Sequence, residues 1–520
     1  MLTATDESIP PLNDPRNLPA LHADILALVT SEQANRLRVA PVMLHGHRLV
    51  LAMEDPADDA AADEISVTAD RPVTRAPADA KVIGELVRRH YGTTAAELGS
   101  RLAAEAGDDE ALMGNLEAID AEALHRMAEQ PTLINLVNLI ILEAIRSRAS
   151  DIHVEPFESR LAVKYRIDGV LAEQNAPPRH LQPAITSRIK IMAGMNIAER
   201  YVPQDGHITL RFEGRKVDIR VSTVPTVYGE SVVMRLLDKE SITLDLQSLG
   251  MRDDHRASIA RLIRLPHGMV LVSGPTGSGK TTTLYAALMQ LYSPTKKIIT
   301  IEDPVEYELS GINQIPVNPK RGLTFATGLR SILRQDPDVI MVGEIRDRET
   351  ADIAVRSALT GHLLFSTIHT NDAASAVGRL IDMGVEPFLL SSVLEGIVAQ
   401  RLGRRLDPEQ SALAPIPDAV RHRLHPHELE MFPGGMAMQP RTTGTGATSG
   451  YRGRLGFYEL LMISGPLREG VGQRCPAQEL LKLAGPSHVT MRRDGLRKAA
   501  DGMTSIDEVL RATQDADDIV

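Results

Sequence analysis

The sequence predicts an α/β protein of several domains, whose largest part is a parallel sheet with helices on both faces. Three observations carry this. From Met251 onward, short runs apolar on both faces (269–272, 297–301, 339–342 and 362–366) alternate with helical stretches, and only a sheet covered on both sides buries such strands. A glycine-rich loop, Gly274-Pro275-Thr276-Gly277-Ser278-Gly279-Lys280-Thr281, joins the first of these strands to a helix, the setting in which such a loop cradles phosphates. The length of 520 residues, at ~150 residues per domain, leaves room for two or three further domains.

The elements before that core follow in order. Residues 1–20 are proline-rich with little periodicity and read as a tail. In the next module, Pro41 to Leu44, the His45-Gly46 turn and Leu49 to Met53 read as a hairpin, and Lys81 to Tyr91 has helical spacing. Residues 1–98 are thus expected to form a small α/β module, and the Ala-rich, acidic stretch 99–130 a linker or a solvated helix. Residues 131–148 read as a helix. Leu161 to Ile167 ends at an Asp168-Gly169 turn, and Ile208 to Phe212 pairs with Val217 to Val221 across Glu213-Gly214. On the last strand Val217, Ile219 and Val221 share one face, and Asp218 and Arg220 the other. This makes 131–243 an α/β domain with a half-buried sheet. The core is expected over 244–402. Between Gly403 and Gly450 the pattern dissolves into Pro, Gly, Thr and His, and 451–520 reads as mainly helical.

Composition narrows the function. Lys and Arg number 57 against 68 Asp and Glu, for a net charge of −11; this disfavours a protein that coats nucleic acid or anionic lipid. The acidity is local, since residues 1–130 hold 11 basic and 23 acidic side chains. The single cysteine, Cys475, excludes an internal disulfide and any multi-cysteine metal site and suits a reducing compartment. Trp is absent and aromatics are only 3%, so aliphatic packing dominates. The most apolar stretch, 133–145, is interrupted by Asn135, Asn138 and Glu143 and is shorter than the ~20 residues of a spanning helix. With no signal-like start, the cytoplasm is the expected location.

The chemistry gathers at strand ends. The glycines of 274–279 let backbone amides turn toward phosphates, Lys280 can reach the β and γ phosphates, and the Thr281 hydroxyl, followed by Thr282, can hold Mg²⁺. Strand 338–343 delivers Glu344, a candidate to orient or deprotonate water; the alternative is an acidic helix cap. Glu302, Asp303 and Glu306 end another strand, and one or more is expected to bind Mg²⁺ through water or to position the nucleophile. His369 ends a fourth strand as a candidate γ-phosphate sensor or a structural histidine. Arg220, Arg235, Arg330, Arg334 and Arg346 exceed what one core needs and are either surface charges or groups offered to a phosphate across an interface.

These stations, together with Ser150-Asp151-Ile152-His153-Val154-Glu155-Pro156, Val202-Pro203-Gln204-Asp205-Gly206, Arg334-Gln335-Asp336-Pro337-Asp338 and Gly450-Tyr451-Arg452-Gly453-Arg454, resemble the secretion ATPase superfamily, and within it the type II secretion ATPases. The resemblance is close over 131–402 and faint before residue 100. It implies a RecA-like P-loop ATPase core preceded by a PAS-like smaller α/β domain and an N-terminal docking module. It also implies a cytoplasmic homo-hexamer that hydrolyses ATP with Mg²⁺ to drive assembly of a pilin-like filament. By position, 274–281 becomes the Walker A loop, 338–344 the Walker B strand, 302–306 the aspartate box and 362–369 the histidine box, and Arg220, Arg235, Arg330 and Arg334 become arginines that approach the nucleotide.

The implied partners are an inner-membrane anchor protein gripped by residues 1–130 and an inner-membrane platform protein, with peripheral attachment to the inner membrane through a partner; no nucleic acid is expected. One departure stands out. Many relatives insert a zinc module on paired cysteines before Gly450, whereas here the stretch has none, so zinc is not expected and His422, His425 and His427 read as loop histidines. A type IV pilus or DNA-uptake motor shares the same chemistry and is the alternative. A nucleic-acid translocase is a distant third, given the charge and few aromatics.

Overall fold

The computed structural model describes residues 130–212, 215–238, 245–441 and 450–513, together with most of 25–86. The expected tail, all but the last residue of the linker expected over 99–130 and most of the helix expected over 81–91 lie outside these. The chain divides into two compact units, one of residues 1–140 with 159–161 and 175–188, the other of 141–158, 162–174 and 189–520.

In the first unit, β1 (Val39–His45) and β2 (Arg48–Met53) form the expected antiparallel hairpin, closing at His45 opposite Arg48. Helix α1 (Asp59–Ala69) crosses over to β3 (Val73–Pro77), which lies parallel to β2. Asp58 caps α1 by accepting from the Ala61 amide at 3.0 Å. Ala61, Ala62, Ile65 and Ala69 recur at helical spacing and are buried with Leu49, Leu51 and Met53.

Helix α2 (Pro131–Arg146) is followed by β4 (Ala149–Pro156), β5 (Leu161–Ile167), β6 (Val170–Gln174), α3 (Gln182–Met192), β7 (Gln204–Phe212), β8 (Arg215–Thr226) and β9 (Gly229–Asp238). The six strands form one sheet in the order β6-β5-β4-β9-β8-β7. The β7–β8 register sets Ile208 opposite Ile219 and Leu210 opposite Val217, as the alternation predicts, and Val217, Ile219 and Val221 are buried. The other face carries a row at one register level: His207 opposite Arg220, Arg220 opposite Arg235, and Arg235 opposite Asp151.

The core begins with α4 (Asp253–Leu262), β10 (Gly268–Ser273), α5 (Lys280–Leu291), β11 (Ile298–Glu302), β12 (Asn313–Pro316), α6 (Phe325–Ile332), β13 (Val339–Val342), α7 (Arg348–Leu359), β14 (Leu363–Ile368), α8 (Ala373–Asp382), α9 (Pro387–Val393) and β15 (Leu394–Leu406). Its strands face two ways. Met269 and Leu271 pack with Leu329, Ile340 and Leu364 on one side, and Val270 and Val272 with Leu284, Met341 and Phe365 on the other, which is why the runs are apolar throughout. Side chains set the helix starts: Asp347 accepts from the Thr350 amide at 2.8 Å and Asp372 from that of Ser375 at 2.7 Å.

Two features differ from the sequence-based expectation. Residues 411–440 form a folded lobe, with β16 (Ser411–Pro415) antiparallel to β17 (Met436–Pro440) and Ile416, Val420, Leu424, Phe432 and Ala437 buried. The final part is not helical throughout. It opens with the 12-residue β18 (Tyr451–Met462), which pairs antiparallel with β15 and completes a sheet ordered β12-β11-β13-β14-β10-β15-β18. The Tyr451 segment is polar at its start but delivers Leu455, Phe457 and Leu461 inward at alternate positions. Helices α10 (Gly465–Gly472), α11 (Ala477–Ala484), α12 (Met491–Ala500) and α13 (Ile506–Ala512) follow.

Candidate active site

The phosphate loop runs from the end of β10 to the start of α5. Gly279 caps the helix at φ +85°, in the left-handed region. At Gly274, a Cβ would sit 2.4 Å from Ser278 Oγ and 2.6 Å from the Gln400 carbonyl oxygen, so only glycine fits. Lys280 is buried at 8% exposure and its Nζ donates to the carbonyls of Gly274 (2.8 Å) and Pro275 (2.9 Å). Burial lowers its pKa to about 8, with Glu344 opposing and Arg401 adding to the shift. Ser278 Oγ is buried without a hydrogen-bond partner among the described residues. The loop thus holds donors in a tight glycine-lined turn, a fit for phosphate oxygens. Thr281 and Thr282 stand half-buried in the first turn of α5.

Strands β13 and β14, adjacent and parallel, bring Glu344 and His369 together. Thr367 Oγ1 donates to the Gly343 carbonyl at 2.6 Å, and the Ile345 amide donates to that of Thr367 at 3.0 Å, which fixes the chain around Glu344. His369 Nε2 lies 3.4 Å from one carboxylate oxygen of Glu344, and Arg346 pairs with the other. Partial burial, and then the Lys280 charge, lower the His369 pKa against the pull of Glu344, which keeps the ring neutral near pH 7. Hydrogen bonding to Glu344 raises that of Arg346, with Asp303 a further contributor.

The carboxylates of 302–306 divide. Asp303 is exposed and Glu306 half-buried. Glu302, expected at a metal or water, is instead 2% exposed and taken up by core donors: Tyr285 Oη donates to one oxygen, Thr300 Oγ1 and Gln314 Nε2 to the other. Three core donors thus occupy most of its acceptor capacity, and its burial keeps it from the open part of the site, so its place in the site differs from the one its motif suggests.

The arginines divide too. Arg220 reaches the acidic loop, with one guanidinium nitrogen 3.1 Å from Glu306 and another donating to the Val305 carbonyl at 3.2 Å. Arg235 instead pairs with Asp151 at 3.0 Å. Arg330 pairs with Glu349 at 2.7 Å, and Arg334 donates to the Arg330 carbonyl at 2.9 Å, both on the exposed face at the end of α6. None of these partners belongs to the phosphate loop.

With this geometry in place, comparison with known proteins is decisive. The family described as "Type II/IV secretion system protein" matches residues 126–511, and the MshEN domain matches 13–97. Type II secretion system protein E of Xanthomonas campestris pv. campestris is 47% identical over 518 residues, 97% of this chain and 89% of that protein. The chain belongs to the type II secretion ATPases. Type II secretion system ATPase E of Vibrio cholerae is 49% identical across 76% of this chain and 78% of its own length. Among solved structures, the pilus retraction motor PilT with bound ADP aligns at TM-score 0.51 and 27% identity, over 73% of this chain and 97% of that one. The Legionella pneumophila ATPase DotB, at 21% identity and TM-score 0.54 over 72% of this chain and 94% of its own, shows the shared fold.

Sequence reasoning missed two groups in this secretion ATPase. Gln400 donates from Nε2 to the Ser278 carbonyl at 2.6 Å, which ties the phosphate loop to β15. Arg401 beside it donates to the Asn371 carbonyl at 2.9 Å and adds positive potential at Lys280. The available signal was a polar pair directly after the apolar run 397–399 in a sheet-core strand.

Proposed function

We propose that this secretion ATPase hydrolyses ATP as the motor of type II protein secretion, driving pseudopilus assembly from the cytoplasmic side of the inner membrane. The observation that carries the reading is Glu344, held by β13 and β14 between Arg346 and His369 and close enough to act on Lys280. In this reading the amides of 274–279 and the Lys280 ammonium bind the phosphates. Glu344 takes the proton of the attacking water, and neutral His369 meets the γ-phosphate by hydrogen bonding. Thr281 and Asp303 are the groups suited to hold Mg²⁺, which when bound neutralises phosphate charge.

Arg220 sits on the smaller domain's sheet and can exchange Glu306 for a phosphate oxygen, so movement of that domain couples to the nucleotide. The exposed Arg330 and Arg334 support assembly as a homo-hexamer in which a neighbouring site receives them. The acidic residues 1–130 suit docking on an inner-membrane anchor protein, alongside a platform protein. A pilus-assembly motor would share this chemistry; relatives at 47% and 49% identity, both named for type II secretion, favour secretion.

The test is turnover. Glu344→Gln is expected to bind ATP but hydrolyse it at least ~10²-fold more slowly, and Lys280→Ala to lose binding. Wild-type turnover by the Glu344 variant would refute the assignment.

A further inference from the structure

Glu302 is a buried, multiply bonded side chain beside the phosphate-loop helix that the proposed chemistry does not use. Its three donors come from three elements: Tyr285 on α5, Thr300 on β11 itself and Gln314 on the edge strand β12. Gln314 extends the connection. Its Nε2 also donates to the Tyr307 carbonyl at 3.0 Å, and its Oε1 accepts from the Leu309 amide at 2.6 Å. Tyr307 meets the ring of Tyr285 edge to face, with centroids 6.2 Å apart. One buried carboxylate and one amide thus fasten the segment 303–309 to the helix that begins at Lys280. The same segment presents Asp303, and it offers the Val305 carbonyl and Glu306 carboxylate to Arg220.

We propose that Glu302 is a positioning residue, which through Gln314 and Tyr285 holds the acidic loop 303–309 in register with the phosphate-loop helix without itself touching nucleotide, water or metal. Removing its oxygens would strand buried donors on Tyr285, Thr300 and Gln314, and the cheapest relief is for the loop to move. A misplacement of about 1 Å at a reacting site costs up to ~10²-fold in rate, so the effect appears in kcat. Glutamine at 302 keeps the two bonds from Thr300 and Gln314, since its oxygen accepts from both, and gives up only the donation from Tyr285, whose hydroxyl must turn to accept from the new amide. A general base or metal ligand would not survive that exchange. The inference rests on the ATPase reading for its kinetic consequence.

The experiment measures kcat and KM for ATP in the full chain for Glu302→Gln, Glu302→Ala and Gln314→Leu, each with and without Arg220→Ala. Amide exchange at Leu309 is followed in parallel, without turnover. Glu302→Gln is expected to keep kcat within ~3-fold of wild type, whereas Glu302→Ala and Gln314→Leu lose ~30-fold with KM nearly unchanged. The effect of Arg220→Ala should shrink in the Glu302→Ala background, because the loop no longer presents its acceptors. Leu309 exchange should quicken in Glu302→Ala and Gln314→Leu but not in Glu302→Gln.

A ~10²-fold loss in Glu302→Gln with normal Leu309 exchange would overturn the proposal in favour of direct chemistry. Unchanged kcat in Glu302→Ala, or unchanged Leu309 exchange, would overturn it in favour of bulk packing. Failure of the ATPase reading is seen separately, as absence of ATP turnover in the unsubstituted chain, and leaves the exchange result to decide on Glu302.

Discussion

Glu508 offers a stability prediction whose size follows from its surroundings. It lies in the first turn of α13 at 2% exposure. It accepts from the Arg404 amide (2.9 Å), the Arg404 guanidinium (2.8 Å) and the Arg511 guanidinium (2.7 and 3.1 Å). Burial alone would raise its pKa, but these donors outweigh it and bring it down to about 2 from an ordinary 4.5. At about 1.36 kcal/mol per pKa unit, the difference amounts to about 3 kcal/mol of stability at pH 7. The folded pKa is the lower one, so this contribution is complete above pH 4.5 and is lost as pH falls toward 2. Glu508→Gln should therefore lower the unfolding free energy of the core by about 3 kcal/mol at pH 7. In urea titrations followed by far-ultraviolet circular dichroism, the gap to wild type should narrow to about half by pH 3. The exposed neighbour Asp507, changed to Asn, should move stability by less than about 0.5 kcal/mol. A Glu508→Gln protein as stable as wild type at pH 7, or a gap that widens on acidification, would refute the reasoning.

Two further outcomes follow from other charges. Because Lys280 in the free protein loses its proton around pH 8, ATP binding above that pH must restore it; the Kd should rise about tenfold per pH unit beyond 8, and calorimetry in buffers of different ionisation enthalpy should show proton uptake, whereas a flat profile without uptake contradicts this. Arg492→Ala leaves the buried Glu428 carboxylate without its partner, so it should destabilise the chain by about 3–5 kcal/mol at pH 7 in thermal or urea unfolding, and a loss below about 1 kcal/mol would mean that water reaches the carboxylate.

The phosphate loop and Glu344 were legible because their chemistry is local: the glycines, the lysine and the flanking strand and helix lie within a few residues of one another. Glu302 was legible as a carboxylate at a strand end but not as one engaged by core donors, since Tyr285 and Gln314 reach it from 17 and 12 residues away. Helix α12 illustrates the same limit in the fold. Its sequence MRRDGLRKAA reads as a solvated surface, yet Arg492, Asp494 and Lys498 are all buried. Lys498 donates to Asp494 at 2.6 Å and to the Gly456 carbonyl at 2.7 Å, and Asp494 accepts from the Tyr458 amide at 2.9 Å. Polarity predicts exposure only when no partner is supplied, and here the partners come from β18, some 40 residues away in sequence, for Asp494 and Lys498, and from Glu428 for Arg492.

Those buried ions also explain how the lobe 411–440 holds its place. Glu428 meets Arg492 through two hydrogen bonds, at 2.8 and 3.0 Å, and the same guanidinium donates to the Arg423 carbonyl at 2.7 Å. Burial would raise the Glu428 pKa, and Arg492 holds it below the usual carboxylate range, so the pair stays ionised near neutrality. Around it, Ile416, Val420, Leu424 and Phe432 join the same apolar cluster as Leu496 and Ala499 of α12. A cross-link of this kind needs neither cysteine nor a metal, and it attaches the lobe to α12 in particular. That helix is bound through Lys498 and Asp494 to β18, β18 pairs along its length with β15, and Gln400 of β15 holds the phosphate loop at Ser278. The lobe therefore belongs to the same packed body as the phosphate loop, joined to it through α12, β18 and β15.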